Sequence, residues 1–205
     1  MGWKEQAVTI PVPSENLALE GVWQAGSRRG AVVAPPHPLY GGSLDHPVVN
    51  EVAYALYQEG FASVRFNWRG VGASQGRPSG DWGDAERDFR AALDHLDQTI
   101  STPLLGAGYS FGAVTALRVG LADPRVRSLL LVSPPVDMLR ELPLEDFERP
   151  LHMIVGDSDS FVPAAELSSL VTPLANARID VIPGADHFFG TGLARLSQLV
   201  REGAS

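Results

Sequence analysis

Leu104-Leu105-Gly106-Ala107-Gly108-Tyr109-Ser110-Phe111-Gly112, followed by Ala113-Val114-Thr115-Ala116-Leu117-Arg118-Val119, decides how the rest of this chain is read. The apolar run 104–107 has the length and composition of a buried strand, and 111–121 that of a helix. Between them a serine stands with glycines two positions to either side. Glycines at those positions permit a strand-to-helix turn too sharp for bulkier residues. Such a turn lifts the serine hydroxyl clear of the backbone, as the G-x-S-x-G motif requires. Ser110 is therefore the candidate nucleophile.

Two further strand-to-loop junctions lie downstream. Leu151-His152-Met153-Ile154-Val155 runs into Gly156-Asp157-Ser158-Asp159, and Ile179-Asp180-Val181-Ile182 runs into Pro183-Gly184-Ala185-Asp186-His187. Serine, acid and histidine thus appear in that order, each just past a strand. A serine hydroxyl is a weak nucleophile. It needs a general base, here His187, and an acid to orient that imidazole and stabilise its protonated form. Asp159 is the acid expected, because Asp157, nearer the strand, suits local backbone bonding. Asp157 is the first alternative, and Asp137, after the preceding strand-like run, the third candidate.

The whole chain reads as alternating strands and helices. Val8-Thr9-Ile10 and Leu17 to Trp23, separated by Pro13-Ser14-Glu15-Asn16, form an antiparallel hairpin pattern at a sheet edge. Strand-like runs follow at 31–34, 62–66, 104–107, 129–132, 151–155 and 179–182, with helical patterns near 47–58, 84–96, 111–121, 163–170 and 192–201. This pattern predicts an α/β fold: a mostly parallel sheet of about eight strands with helices on both faces and ligands at the carboxyl ends of the strands. Only about 18 residues separate the run ending at Val132 from the one starting at Leu151, too few for a cap domain. An open, shallow site for small acyl groups is the expectation.

An oxyanion formed in acyl transfer needs backbone N–H donors. Phe111, following the nucleophile, supplies one. Pro35-Pro36-His37-Pro38-Leu39-Tyr40-Gly41-Gly42 passes nearby, and since Pro38 has no N–H, Leu39 is expected as the second donor with Tyr40 as runner-up. His37 is read as fixing that loop. The acyl pocket is expected to include Leu39, Tyr40, Tyr109, Phe111, Val162 and Phe188.

At 205 residues, with 44% hydrophobic residues and no repeat, the chain is expected to form one domain spanning 1–205. A net charge of −8 and scattered basic residues argue against nucleic acid, and no apolar run approaches a membrane span. The absence of cysteine removes thiolate nucleophiles and suits a reducing, cytoplasmic setting. Neither Gly70-Val71-Gly72 nor Gly106-Ala107-Gly108 continues into a dinucleotide motif, and the carboxylates near His187 lack metal-ligand spacing. No cofactor and no metal are expected. A small-molecule acyl substrate is the expected partner, and pairing of the hairpin edge into a homodimer stays open.

Four segments together resemble one family across nearly the whole chain: His37-Pro38-Leu39-Tyr40-Gly41-Gly42, Arg65-Phe66-Asn67-Trp68-Arg69-Gly70-Val71-Gly72-Ala73-Ser74, Gly108-Tyr109-Ser110-Phe111-Gly112 and Asp186-His187-Phe188-Phe189. The chain is similar to the α/β-hydrolase superfamily, in particular its small lidless bacterial members, which are esterase-like or aminopeptidase-like. The resemblance implies a serine hydrolase; small carboxylic esters are the leading substrate class. A thioesterase or an aminopeptidase on short acyl-peptides is the alternative, and a non-catalytic small-molecule binding module the alternative of another class. Those relatives often read His-Pro-His-Pro where this chain has Pro35-Pro36-His37-Pro38, so any role of the first histidine is lost here.

Overall fold

Strand residues of this chain sort by parity into two apolar layers. In β3 (Gly30–Ala34), Ala31 and Val33 point to one side and Val32 and Ala34 to the other, and every residue of the strand is buried. That double burial is the mark of a central parallel strand covered by helices on both faces. The computed structural model describes residues 4–27, 29–100 and 103–204.

Eight strands form one sheet: β1 (Glu5–Val12), β2 (Leu17–Gln24), β3, β4 (Ala62–Phe66), β5 (Leu104–Tyr109), β6 (Val126–Val132), β7 (Leu151–Gly156) and β8 (Ala177–Ile182). Their order is β1-β2-β4-β3-β5-β6-β7-β8. β1/β2 and β2/β4 are antiparallel, and all other pairs are parallel. The hairpin anticipated from the alternating pattern is thus present, with β1 extended by three residues before Val8 and two after Ile10.

Helices α1 (Pro47–Gln58) and α6 (Leu193–Ala204) cover one face; α2 (Trp82–Asp97), α3 (Phe111–Ala122) and α5 (Ala164–Val171) cover the other. α3 is buried on nearly all sides because α2 packs over it, which is why its sequence carries no polar stripe. The 133–150 connection holds only a four-residue helix, α4 (Val136–Leu139), and a single 3-10 turn, so no lid is built there.

Chain direction creates the site. From β3 the chain moves outward to β4, then α2 carries it back across β3 to β5, so consecutive connections diverge between β3 and β5. At such a switch point the loops leaving the carboxyl ends open a crevice. The loop after β3 and the Ser110 turn after β5 flank it. Register holds the other loops beside them: Ser110 N–H donates to the Val132 carbonyl (2.9 Å), Ser133 N–H to that of Ile154 (2.8 Å) and Asp157 N–H to that of Ile182 (3.1 Å).

Candidate active site

Ser110 sits between β5 and α3 with φ 54° and ψ −118°, a left-handed conformation that a non-glycine residue adopts only when its surroundings enforce it. Both motif glycines are explained by close approach. A Cβ on Gly108 would fall on the carbonyl of Gly112, and one on Gly112 on the carbonyls of Ala34 and Pro35. The second contact matters for chemistry, because it lets the loop after β3 lie directly against the start of α3.

His187 Nε2 stands 3.1 Å from Ser110 Oγ, and His187 Nδ1 2.8 Å from Asp159 Oδ2. All three side chains are buried. Asp159 Oδ1 also accepts the N–H groups of Phe161 (3.0 Å) and Val162 (2.9 Å), which fix the carboxylate and compensate its burial. The imidazole is held from behind: Tyr109 hydroxyl donates to the His187 carbonyl at 2.7 Å. Burial first, then the charges of Asp159 and Asp186, pushes the Tyr109 hydroxyl well above the ordinary phenol range, so it remains a donor.

Asp157 bonds locally, accepting the Gly184 N–H at 2.7 Å and the Ser158 hydroxyl at 2.9 Å. Asp137 lies at the cavity mouth, paired with Arg140 at 3.2 Å. Asp186 accepts the Gly190 N–H at 3.0 Å. Among the described residues no group of three or more His, Asp or Glu side chains stands together as metal ligands.

The loop after β3 differs from expectation. His37 caps a 3-10 turn over Pro38–Tyr40: its Nδ1 accepts the Leu39 N–H at 3.2 Å, and its carbonyl accepts those of Tyr40 and Gly42 at 3.1 Å each. Leu39 and Tyr40, expected as second oxyanion donors, therefore have their N–H groups engaged within the turn. The N–H of His37 itself and that of Phe111, at the first position of α3, have no hydrogen-bond partner among the described residues. Trp68 Nε1–H donates to the carbonyls of Pro35 (3.2 Å) and Pro36 (2.9 Å), pinning the segment that carries the His37 N–H. His37 is loop-fixing as read from sequence, and its backbone adds what its side chain did not reveal.

A cavity of about 550 Å³ opens onto Ser110. Short elements wall it in place of a lid: the 36–46 loop, the Pro135–Met138 turn, and the rings of Phe161 and Phe188. Tyr40, Tyr109, Phe111 and Phe188 line it as expected. Val162 and Leu39 do not: Val162 is fully buried in the core, and the Leu39 side chain, 57% exposed, lies toward Gly80. His46 and Met138 line it without having been singled out. The signal for His46 was its place directly before Pro47, where a helix begins in the same loop as His37.

Arg69 and Asn67 serve the scaffold. Arg69 bonds Asp88 (2.8 Å), Asp84 (2.7 Å) and Glu15 (2.6 Å), and Asn67 accepts the Leu44 N–H (2.7 Å) while donating to Glu20 (2.7 Å). Both tie the loop after β4 to neighbouring segments.

Residues 42–145 match the model of a hydrolase family described as serine aminopeptidase, S33. The chain belongs to this family. An uncharacterised protein of Rickettsia prowazekii is 35% identical to this S33-family hydrolase over 183 residues, 84% of this chain and 76% of its own. An α/β serine hydrolase homologue from Coxiella burnetii is 30% identical with a TM-score of 0.88, covering 98% of this chain and 97% of that one. A lidless α/β serine hydrolase from Xanthomonas campestris is 29% identical with a TM-score of 0.83, covering 98% and 93%. The hydrolase thus shares the α/β-hydrolase fold of the small, lidless kind.

Proposed function

We propose that this S33-family hydrolase cleaves small carboxylic esters through an acyl-enzyme on Ser110. The observation that carries the reading is one continuous hydrogen-bonded line, Ser110 Oγ to His187 Nε2 at 3.1 Å and His187 Nδ1 to Asp159 Oδ2 at 2.8 Å, on a left-handed turn at the floor of the cavity. His187 takes the hydroxyl proton as Ser110 Oγ attacks the ester carbonyl carbon, and Asp159 steadies the resulting imidazolium. The tetrahedral oxyanion is received by the N–H groups of Phe111 and His37. His187 then protonates the leaving alcohol. A water deprotonated by the same imidazole attacks the acyl-enzyme, releasing the acid and returning the proton to Ser110.

Release of an amino-terminal residue from a peptide is the second reading, favoured by the Asp137 carboxylate at the cavity mouth, which could meet a substrate ammonium. Arg140 already engages that carboxylate at 3.2 Å, so the ester reading stands first.

Intact-mass analysis after treatment with a fluorophosphonate tests the nucleophile without a guessed substrate. One adduct on the wild type, absent from Ser110→Ala and His187→Ala, is expected. A folded wild type that takes no label would overturn the reading. Turnover of matched ester and aminoacyl-amide substrates then separates the two acyl chemistries.

A further inference from the structure

Charge at the cavity wall is one-sided. Neither Lys nor Arg lines it, and its one carboxylate is Asp137. Two further imidazoles, His37 and His46, are neutral by construction. Each spends Nδ1 as an acceptor, from Leu39 N–H at 3.2 Å and from Val48 N–H at 3.3 Å, so its single proton lies on Nε2. Burial lowers the pKa of both, and for His46 the neighbouring His187 lowers it further. An anionic substrate would meet no counter-charge among the lining residues and would face Asp137, which shares the single guanidinium of Arg140 with Glu166.

Rings crowd the mouth. Tyr40, Phe161 and Phe188 are 86%, 61% and 61% exposed, and all three line the same cavity, so apolar surface is gathered where a ligand would cover it. Phe161 and Phe188 stand edge to face with centroids 6.4 Å apart, and their centroids lie 4.9 Å and 5.6 Å from the ring of His187. A flat group held among them lies beside the nucleophile rather than at a remote patch. The His37 Nε2 backs onto Gly80, whereas the His46 Nε2–H has no hydrogen-bond partner among the described residues and belongs to a side chain that lines the cavity.

We propose that the cavity takes uncharged esters bearing an aromatic ring, the ring seated among Tyr40, Phe161 and Phe188, with the His46 Nε2–H donating a hydrogen bond to an acceptor on the substrate. This rests on the serine hydrolase reading of the same site. It excludes esters and thioesters whose non-reacting part carries phosphate or carboxylate groups.

Four ethyl esters test it: 3-phenylpropanoate, 3-cyclohexylpropanoate, and the phenyl ester carrying a para-carboxylate or a para-acetyl group. The phenyl ester is expected to exceed the cyclohexyl ester in kcat/KM by about 3- to 10-fold, the range of an aromatic pair beyond its buried area. The para-carboxylate ester should fall about 10-fold below the phenyl ester, and Asp137→Asn should narrow that ratio. His46→Ser keeps an oxygen acceptor to cap α1 but is too short to carry a donor to the position of the imidazole Nε2, so it should lower the para-acetyl to phenyl ratio about 5-fold, through KM. If Ser110 takes the fluorophosphonate label and these rankings are absent, or none of the set is turned over, the substrate class is overturned and the hydrolase reading survives. An unlabelled Ser110 with no turnover of any ester overturns the hydrolase reading instead.

Discussion

Ser110 keeps its left-handed backbone because the residues around it leave no alternative, and the two motif glycines are where that arrangement is most exposed to a single change. Gly112→Ala would drive a methyl group into the carbonyls of Ala34 and Pro35. The expected result is loss of fluorophosphonate labelling at a stability cost of about 1–3 kcal/mol, because overpacking of this size displaces backbone. Labelling rate and urea unfolding on one preparation would check both. Tyr109→Phe is gentler. It leaves the His187 carbonyl without its 2.7 Å donor, so about 1–2 kcal/mol of stability and about tenfold in kcat should be lost with KM unchanged. An unaltered kcat would show that the imidazole does not depend on this support. The three residues proposed to react were legible in the sequence because each follows the end of a strand and bears chemistry that nothing else nearby accounts for. The unengaged N–H of His37 was not, since every residue but proline has one. Only the bond from Leu39 N–H to His37 Nδ1 shows which amides in the loop are already engaged.

Elements and their ends are held by ion pairs, some between residues distant in sequence and some within a single turn. Asp88, on α2, is almost wholly buried, and its carboxylate is balanced by the backbone N–H and guanidinium of Arg69 in the loop after β4. Arg69→Met would strand that charge. A loss of about 3–5 kcal/mol in urea unfolding is expected, with Asp88→Asn in the same chain restoring part of it. Asp123, where α3 ends, accepts the Arg125 N–H (3.0 Å) and guanidinium (2.7 Å). The guanidinium bond from Arg125 is the main reason its carboxyl titrates below the ordinary Asp value. Since the folded pKa lies below the unfolded one, this stabilisation is full above the unfolded Asp range and fades as pH falls through the folded value. Asp123→Asn should therefore cost about 1 kcal/mol at pH 7, and the difference from wild type should close toward pH 3. Strands and helices were readable from period and composition. These ties were not, because a charged residue in a helical pattern looks the same whether it faces water or a buried partner.

Across the whole molecule, three of the five histidines share a bias. Burial lowers the pKa of His37, His46 and His152, and the ring of His152 has its Nδ1 buried with no partner while Nε2 meets Asp180 at 2.8 Å. The unfolded chain therefore binds protons that the folded chain declines. Stability should be full above the unfolded His value of about 6.5 and fall progressively below it. Melting temperature is expected to drop between pH 7.5 and 5.5, before the carboxylates titrate, and to drop less in His152→Gln. An equal drop in both would remove His152 from the account. Sheet order was the global feature least available from sequence. The divergence between β3 and β5 follows from which helix crosses which strand, and no local pattern records that choice.

The order in which Ser110, Asp159 and His187 occur along the chain has a consequence for synthesis on the ribosome. A nascent chain long enough to bury β5 and expose Ser110 still lacks the proposed base, His187, which arrives only after β8, the edge strand that α6 helps to hold. The serine therefore emerges inert. On the proposed reading, Ser110 gains its base only once β8 and the loop after it are in place, so a chain that stops short of them presents no activated nucleophile.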